Sequence, residues 1–234
     1  MYRSKMPAGA PRMDGKLLLQ GLGKYFAGVL MLGLLLFLPG GFGFWQGWML
    51  MGILFIPMLI AGFVLMAKNP DLLRKRLNVN EQEKEQKQVI LFSGILFAVA
   101  FIVAGLNFRF DLFVLPGPVC IGAAAAFLVC YALYAEVLRE NTYLSRTVEV
   151  QEEQKVIDTG MYGIVRHPMY MVTVGLFLAM MLSLGSLISF GIMLLYIPLI
   201  AKRIRNEEEV LMEGLPGYKA YMRKVRYRLI PFIY

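Results

Sequence analysis

Long runs of apolar residues alternate with shorter polar segments along this chain. A bilayer core about 30 Å thick needs roughly 20 apolar residues in a helix that crosses it. Five runs approach or exceed this length, and they cover residues 25–44, 45–66, 89–106, 116–138 and 169–201. The pattern therefore predicts an all-α protein, a polytopic transmembrane helical bundle.

The last apolar run is too long for one ordinary span. As a single helix, residues 168–201 would extend about 50 Å, and one crossing would separate the basic residues after it from the other basic loops. Ser183, Gly185 and Ser186 interrupt the run near its middle. We therefore predict a short helical hairpin that turns at residues 184–186, and about six membrane segments in all.

Basic residues lie almost entirely on one side of the predicted membrane. They precede the first run, occupy loops 67–88 and 139–168, and follow the last run; only Arg109 lies in an alternate loop. Because Lys and Arg concentrate in cytoplasmic loops, both termini are predicted to be cytoplasmic, with the inner membrane of a prokaryotic cell as the expected location. The predicted divisions are a cytoplasmic N-terminal segment (1–23), N-terminal transmembrane helices with loop 67–88 (24–107), and a membrane core (108–234).

The composition indicates a membrane protein and argues against nucleic-acid binding, a His/Cys metal site and a Rossmann domain. The chain is 58% hydrophobic, well above a soluble protein. Its net charge of +8 is spread over loops that flank spans, which favours attraction to anionic headgroups over nucleic-acid binding. One histidine and two cysteines are too few for a His/Cys metal site. No Gly-x-Gly-x-x-Gly follows a strand, so a Rossmann domain is not expected.

Residues 159–170 (TGMYGIVRHPMY) are the first segment with candidate chemistry. Pro168 suits the first turn of a helix, where its missing N–H would be unpaired in any case. A helix start attracts anions, and Arg166 beside it adds a fork of donors. The alternative is a helix cap with an arginine that reaches towards lipid headgroups.

Residues 203–209 (RIRNEEE) directly follow the predicted hairpin and form the second candidate segment. Three carboxylates near the membrane face could recognise a cationic or hydroxyl-rich ligand. From charge alone, a solvated helix face with an Arg203–Glu207 pair at i,i+4 spacing is the favoured alternative. Several tyrosines surround both segments and suit an interfacial belt, although one or two ring faces could contact a ligand cation. These tyrosines are Tyr131, Tyr134, Tyr143, Tyr162, Tyr170, Tyr218 and Tyr221.

An anion site, paired carboxylates and aromatic rings together suit a zwitterionic, cationic small molecule such as S-adenosylmethionine. The segment G-x-Y-x-x-x-R-H-P-x-Y (160–170) resembles the signature of the isoprenylcysteine carboxyl methyltransferase family and its phospholipid N-methyltransferase relatives. R-I-x-x-E-E (203–208), G-Y-x-x-Y (217–221) and R-L-I-P (228–231) follow in the family's order and spacing. The resemblance covers roughly residues 130–234.

The resemblance implies that S-adenosylmethionine binds at the R-H-P-x-Y segment, the loop before it and the glutamate pair. Carried over by position, the cofactor-binding residues are Gly160, Tyr162, Arg166, His167, Tyr170, Glu207 and Glu208. Catalytic candidates are Arg166 or His167 for orienting the nucleophile, and His167 or Glu208 for accepting a proton from an amine. Gln154 and Val172 depart from the family's usual His and Gly, a difference that concerns the acceptor rather than the cofactor.

The implied function is methyl transfer to a lipid or isoprenoid-like amphiphile that enters from the bilayer and presents a carboxyl, thiol or amine. The active site would face the cytoplasm, within the core 108–234. Two alternatives stay open: an NADPH-dependent membrane reductase of a steroid or isoprenoid lipid, and a non-enzymatic membrane scaffold. The sequence indicates neither the acceptor nor the oligomeric state.

Overall fold

A computed structural model describes residues 15–77, 84–141, 143, 150 and 153–234 of the protein. Nine α-helices and one short 3-10 turn, Gly160–Gly163, account for most of these residues. The helices are α1 Gly15–Gly40, α2 Trp45–Lys68, α3 Pro70–Leu77, α4 Lys84–Arg109, α5 Gly117–Glu140, α6 Pro168–Ser183, α7 Leu187–Leu194, α8 Tyr196–Gly214 and α9 Tyr218–Lys224. Within the described part of the chain there is no strand, only the isolated bridge between Val114 and Ser186. The prediction of an all-helical protein is confirmed.

Five helical segments are long and apolar enough to cross a membrane. Four of them are α1, α2, most of α4 and α5, and the fifth is the combined segment Leu187–Gly214. Helix α6 is apolar but has only 16 residues. Five long segments and one short helix among the described residues agree with the predicted polytopic membrane protein. The count of six membrane segments and their orientation stay predictions.

The predicted turn at residues 184–186 is present between α6 and α7. Gly185 has φ +73°, a left-handed conformation that glycine adopts without steric cost. Its carbonyl accepts a hydrogen bond from Leu115 N (2.9 Å) in the loop between α4 and α5. The Ser186 side chain accepts from Ser189 N and so caps α7. The hairpin is thus fixed at its tip by glycine geometry and a serine cap.

The second arm of the hairpin, called the return arm, is not the single short helix that the sequence predicts. It breaks at Leu195, and α8 then continues past the apolar run to Gly214. Arg203, Glu207 and Glu208 are therefore in the same helix as Tyr196 and Ile200, which are buried in the main core. This continuity gives the acidic segment a fixed orientation relative to the membrane helices.

Close packing between helices holds the bundle together. Helices α1 and α4 approach each other at Gly105, where an added Cβ would lie 2.7 Å from Pro39 Cγ and 2.8 Å from the Leu36 carbonyl oxygen. Small residues allow such approaches, and van der Waals packing drives helix association inside a bilayer. Phe127 of α5 and Met181 of α6 belong to the same core and are fully buried. These contacts determine where the polar ends of α5, α6 and α8 meet.

Candidate functional site

A solvent-open cavity lies where the polar ends of these helices meet. The wall combines the R-H-P-x-Y segment, the middle of α8, the start of α9 and the chain before the 3-10 turn. The lining residues are Asn141, Tyr143, Gln154, Lys155, Val156, Ile157, Tyr162, Arg166, His167, Met169, Tyr170, Arg203, Glu207, Val210, Leu211, Leu215, Tyr218 and Tyr221. Segments far apart in sequence therefore form one cavity.

The backbone of Arg166 and His167 is non-helical before α6 and is held by hydrogen bonds. Proline disfavours the helical conformation in the residue before it, and His167 has φ −124° and ψ 61°. The amide of Arg166 donates to the carbonyl of Tyr227, and that of His167 donates to the carbonyl of Arg228, both at 2.9 Å. The C-terminal segment thus pairs with the R-H-P segment and fixes the direction in which its side chains point.

A buried cluster of charges lies beside the cavity and is centred on Glu208, whose exposed fraction is 2%. Arg166 Nε donates to Glu208 Oε1 and Arg228 Nε donates to Glu208 Oε2, each at 2.7 Å. His167 Nε2 is 3.3 Å from Glu208 Oε1. Arg166 Nη1 also donates to the carbonyls of Val225 and Arg226, both at 2.8 Å. Both Glu208 oxygens are therefore occupied by protein groups.

The neighbouring Glu207 has a different environment. Its side chain lines the cavity and is 24% exposed. Tyr170 donates its hydroxyl hydrogen to Glu207 Oε2 at 2.5 Å, and Arg203 Nε donates to the same hydroxyl at 2.9 Å. The expected Arg203–Glu207 pair is thus bridged by Tyr170. Glu207 Oε1 lies 3.9 Å from His167 Nδ1, at the edge of ion-pair distance. Of the two carboxylates, Glu207 is the more exposed and so the easier for a ligand to reach.

The 3-10 turn before Arg166 is tied to α5 and α9. Tyr221 donates its hydroxyl to the Tyr162 carbonyl (2.8 Å), and Asn141 Nδ2 donates to the Tyr162 hydroxyl (3.1 Å). Gly160 has φ +49°, and an added Cβ there would overlap the Glu140 carboxylate. The left-handed φ therefore favours glycine in this turn, and a Cβ would in addition force the Glu140 carboxylate to move.

The tyrosines of α9 supply neutral polar groups to the cavity. Burial raises the pKa of the Tyr218 and Tyr221 phenols above their ordinary value, and the negative charge of Glu208 adds to this rise. The Tyr218 hydroxyl is buried and has no hydrogen-bond partner among the residues that the structure describes. Buried polar atoms are rarely left unpaired, so this hydroxyl favours a polar ligand group in the cavity.

The structure separates the predicted site residues into two groups. Tyr162, Arg166, His167, Tyr170 and Glu207 line the cavity. Glu208 and Gly160 are outside the described lining: Glu208 lies within the charge cluster, and Gly160 shapes the turn. No group of three or more His, Cys, Asp or Glu side chains that could hold a metal ion occurs within residues 15–77, 84–141, 143, 150 and 153–234.

Sequence reasoning missed the role of Arg228, which lies in the R-L-I-P segment but received no function. It also assigned no role to Asn141 and Glu140, which lie near the polar end of α5. A signal was available for Arg228, because a basic residue within a family segment can pair with the family's glutamates. No pattern in the sequence singles out Asn141 or Glu140.

Comparison with known proteins agrees with the motifs. Residues 121–213 match the model of the isoprenylcysteine carboxyl methyltransferase (ICMT) family. No curated protein matches the chain. The resemblance drawn from the motifs is thereby confirmed, and with the apolar helices the match supports a membrane methyltransferase. The matched range includes the R-H-P-x-Y segment and both glutamates, but it ends before α9 and Arg228.

Proposed function

We propose that this chain is an integral membrane methyltransferase that uses S-adenosylmethionine and methylates a lipid or isoprenoid-like amphiphile. The observation that carries the proposal is the cavity in which Glu207 and Tyr170 meet Tyr218, within and beside the range that matches the methyltransferase family. The cavity is concave and its lining combines many polar and charged side chains with an apolar patch, a mixture that suits a zwitterionic small molecule.

The residues present fit the proposed cofactor. Glu207 offers a carboxylate to an ammonium or to ribose hydroxyls, which are charge-assisted hydrogen bonds of the stronger kind. The unpaired Tyr218 hydroxyl offers one further polar contact. Val156, Leu211 and Leu215 provide an apolar wall suited to a purine ring. A zwitterionic cofactor with an apolar base thus has complementary groups in this cavity.

Bound S-adenosylmethionine supplies an electrophilic methyl group on a sulfonium. The chain's own residues supply positioning, which is the main requirement of an in-line displacement. Tyr170 is fixed between Arg203 and Glu207, and His167 is fixed by the backbone pairing with Arg228. Glu208 is enclosed by arginines, so we assign it to positioning rather than to proton transfer. An amine acceptor would then lose its proton to His167, whereas a carboxylate acceptor would need no base.

Membrane placement forms part of the same proposal. Six membrane segments, with α6 and the start of the return arm as the short pair, would put both termini and the cavity on the cytoplasmic side. The basic residues near the cavity-side ends of α1, α2 and α5 support this orientation. Protease or labelling access to tags at each terminus in sealed vesicles tests it.

The decisive experiment is calorimetric titration of the purified chain with S-adenosylhomocysteine. Wild type should bind, and Glu207→Gln should bind about tenfold or more weakly, because a hydrogen bond to a charged group contributes about 1.5–3 kcal/mol. Glu209→Gln is the matched control, since Glu209 is exposed in the same helix. Absence of binding to wild type, with stabilisation by NADPH instead, would overturn the proposal in favour of a reductase.

A second measurement identifies the acceptor class. Purified protein with S-adenosylmethionine labelled in its methyl group and a native lipid extract should yield a labelled, lipid-soluble product. Base-labile label indicates a carboxyl ester, and base-stable label indicates an amine or a thioether. Label that appears only in water-soluble products would contradict an amphiphilic acceptor.

A further inference from the structure

A second concave site lies between α1, α2 and α3, and it shares no lining residue with the cavity described above. Its walls are almost entirely apolar, with Leu18 and Leu22 on one side and Met58 and Leu59 on the other. Lys24 is the one charged residue among the described lining residues. We call this site the α1–α2 groove.

The groove has the position and length of a site for a lipid chain. Both long walls belong to helices that are apolar enough to span a membrane. The lining residues extend from Leu18 to Tyr25 in α1 and from Met58 to Met66 in α2, which is about 10–12 Å along each helix. This is most of the half-thickness of a bilayer core, about 15 Å. Apolar walls give water few hydrogen-bond partners, so hydrocarbon is the favoured occupant.

The charge at the groove selects the kind of lipid. Lys24 Nζ donates to the carbonyl of Leu77, the last residue of α3, and an ammonium has three donors. Within the part of the chain that the structure describes, the other two donors have no further acceptor. Lys68, at the end of α2, is exposed and belongs to the same polar end of the helices. A phosphate group is the complementary partner for a lysine at the membrane surface.

We propose that the α1–α2 groove binds one acyl chain of an anionic phospholipid, with the lipid phosphate beside Lys24. The proposal is independent of the methyltransferase site, because the two sites have no residue in common. It gives the N-terminal helices, which lie outside the matched range 121–213, a role of their own.

Gly62 provides a way to fill the groove without disturbing its walls. It lines the groove, and an added Cβ would meet no atom within 4 Å in the described structure. Gly62→Leu should therefore block the lipid chain, and leucine favours helix more than glycine does. Gly52→Leu is the matched control, because Gly52 lies in the same helix with equally open space and is not a groove residue.

The test is mass spectrometry of the intact protein after exchange with phosphatidylglycerol and phosphatidylcholine in equal amounts. Wild type and Gly52→Leu should retain one lipid with a preference for phosphatidylglycerol, and Gly62→Leu should lose it. Lys24→Gln should retain lipid but reduce the preference about fivefold, the ratio that corresponds to the attraction of one lysine. Lys87→Gln is the charge control, because Lys87 is exposed in α4 and does not line the groove. Equal lipid retention by Gly62→Leu and Gly52→Leu overturns the proposal, as does a change of oligomeric state in Gly62→Leu alone, which would indicate a second copy in the groove.

A second variant reports on the groove even where Gly62→Leu does not fold. Leu59→Trp places an indole among the lining residues, whereas Trp45 and Trp48 lie in the first turn of α2 at its opposite end. Phosphatidylglycerol brominated on its acyl chains should quench the new fluorescence more strongly than brominated phosphatidylcholine does. Equal quenching by both lipids contradicts an anionic lipid in the groove.

Discussion

Replacing Glu207 or Glu208 of α8 by glutamine should have opposite effects: one substitution should weaken ligand binding, and the other should lower the stability. Glu208→Gln removes the charge that compensates Arg166 and Arg228, and Arg166 is only 7% exposed. Removing one partner of a buried ion pair costs about 3–5 kcal/mol. Glutamine retains one acceptor oxygen, so we expect the lower end of this range, about 3 kcal/mol. For a chain of this size, 1 kcal/mol shifts Tm by about 2–4 °C, which gives a loss of about 6–12 °C.

Thermal unfolding in detergent, paired with titration by S-adenosylhomocysteine below the lowest Tm, distinguishes the two roles. Glu208→Gln should unfold early and bind with nearly wild-type affinity while folded. Glu207→Gln should keep its Tm within about 2 °C and bind weakly, because its side chain faces the cavity. Glu209→Gln should resemble wild type in both assays. The reasoning is refuted if Glu208→Gln retains the wild-type Tm and loses affinity, since Glu208 would then be a ligand group.

Arg228 offers an internal check on this assignment. Arg228→Gln should lower the free energy of unfolding less than Glu208→Gln does, because Arg228 is 32% exposed and solvent screens its charge. In a protein that already carries Glu208→Gln, Arg228→Gln should hardly change the free energy of unfolding, since the carboxylate that pairs with Arg228 is already lost. Equal costs in both backgrounds would show that the two groups are not energetically coupled.

Three further predictions concern the turns and the tyrosines. Gly160→Ala should weaken S-adenosylhomocysteine binding in titration about tenfold, because φ +49° strains a residue with a Cβ by about 1–3 kcal/mol and the Cβ would displace the Glu140 carboxylate. Glu140→Ala should restore part of the affinity, and no recovery would show that the displaced carboxylate is not a cause. Gly185→Ala should lower the stability by about 1–3 kcal/mol in denaturant unfolding without changing affinity, because φ is +73° at the hairpin tip; an unchanged stability would contradict the strain. The folded pKa of Tyr218 is raised above the unfolded value of about 10, so its contribution to stability is complete below pH 10 and is lost as pH rises further. Tyr218→Phe should therefore flatten the fall of Tm between pH 9 and 11, and an unchanged slope would show that Tyr218 is not the cause.

The helices and the hairpin could be predicted because they depend on local composition. A run of about 20 apolar residues has few alternatives to a spanning helix, since every backbone polar group must be paired within the bilayer. The turn at Gly185 was likewise visible, because serine and glycine interrupt an otherwise uniform run. The break at Leu195 was not visible, since its neighbours are as apolar as the rest of the return arm.

The different roles of Glu207 and Glu208 could not be predicted, because they depend on which face of α8 meets the core. Successive residues on an α-helix point about 100° apart, so one glutamate can face a cavity while the next is buried. The direction is fixed by Ile200 and Ile204, which are buried and lie eight and four residues before Glu208 on the same face. The apolar face of α8 places Glu208 in the interior. That position is stable because Arg166 and Arg228, from distant segments, pair with its carboxylate.

The buried position of Glu208 explains why the segment after α9 matters to a site formed mostly before it. A carboxylate in the interior is costly unless paired, and Arg166 already shares its guanidinium with the carbonyls of Val225 and Arg226. Arg228 supplies the second partner, and its backbone carbonyl at the same time fixes His167. One short segment therefore neutralises the glutamate and sets the backbone of the R-H-P segment. With Glu208 compensated internally, Glu207 is left as the carboxylate that a cationic ligand can reach.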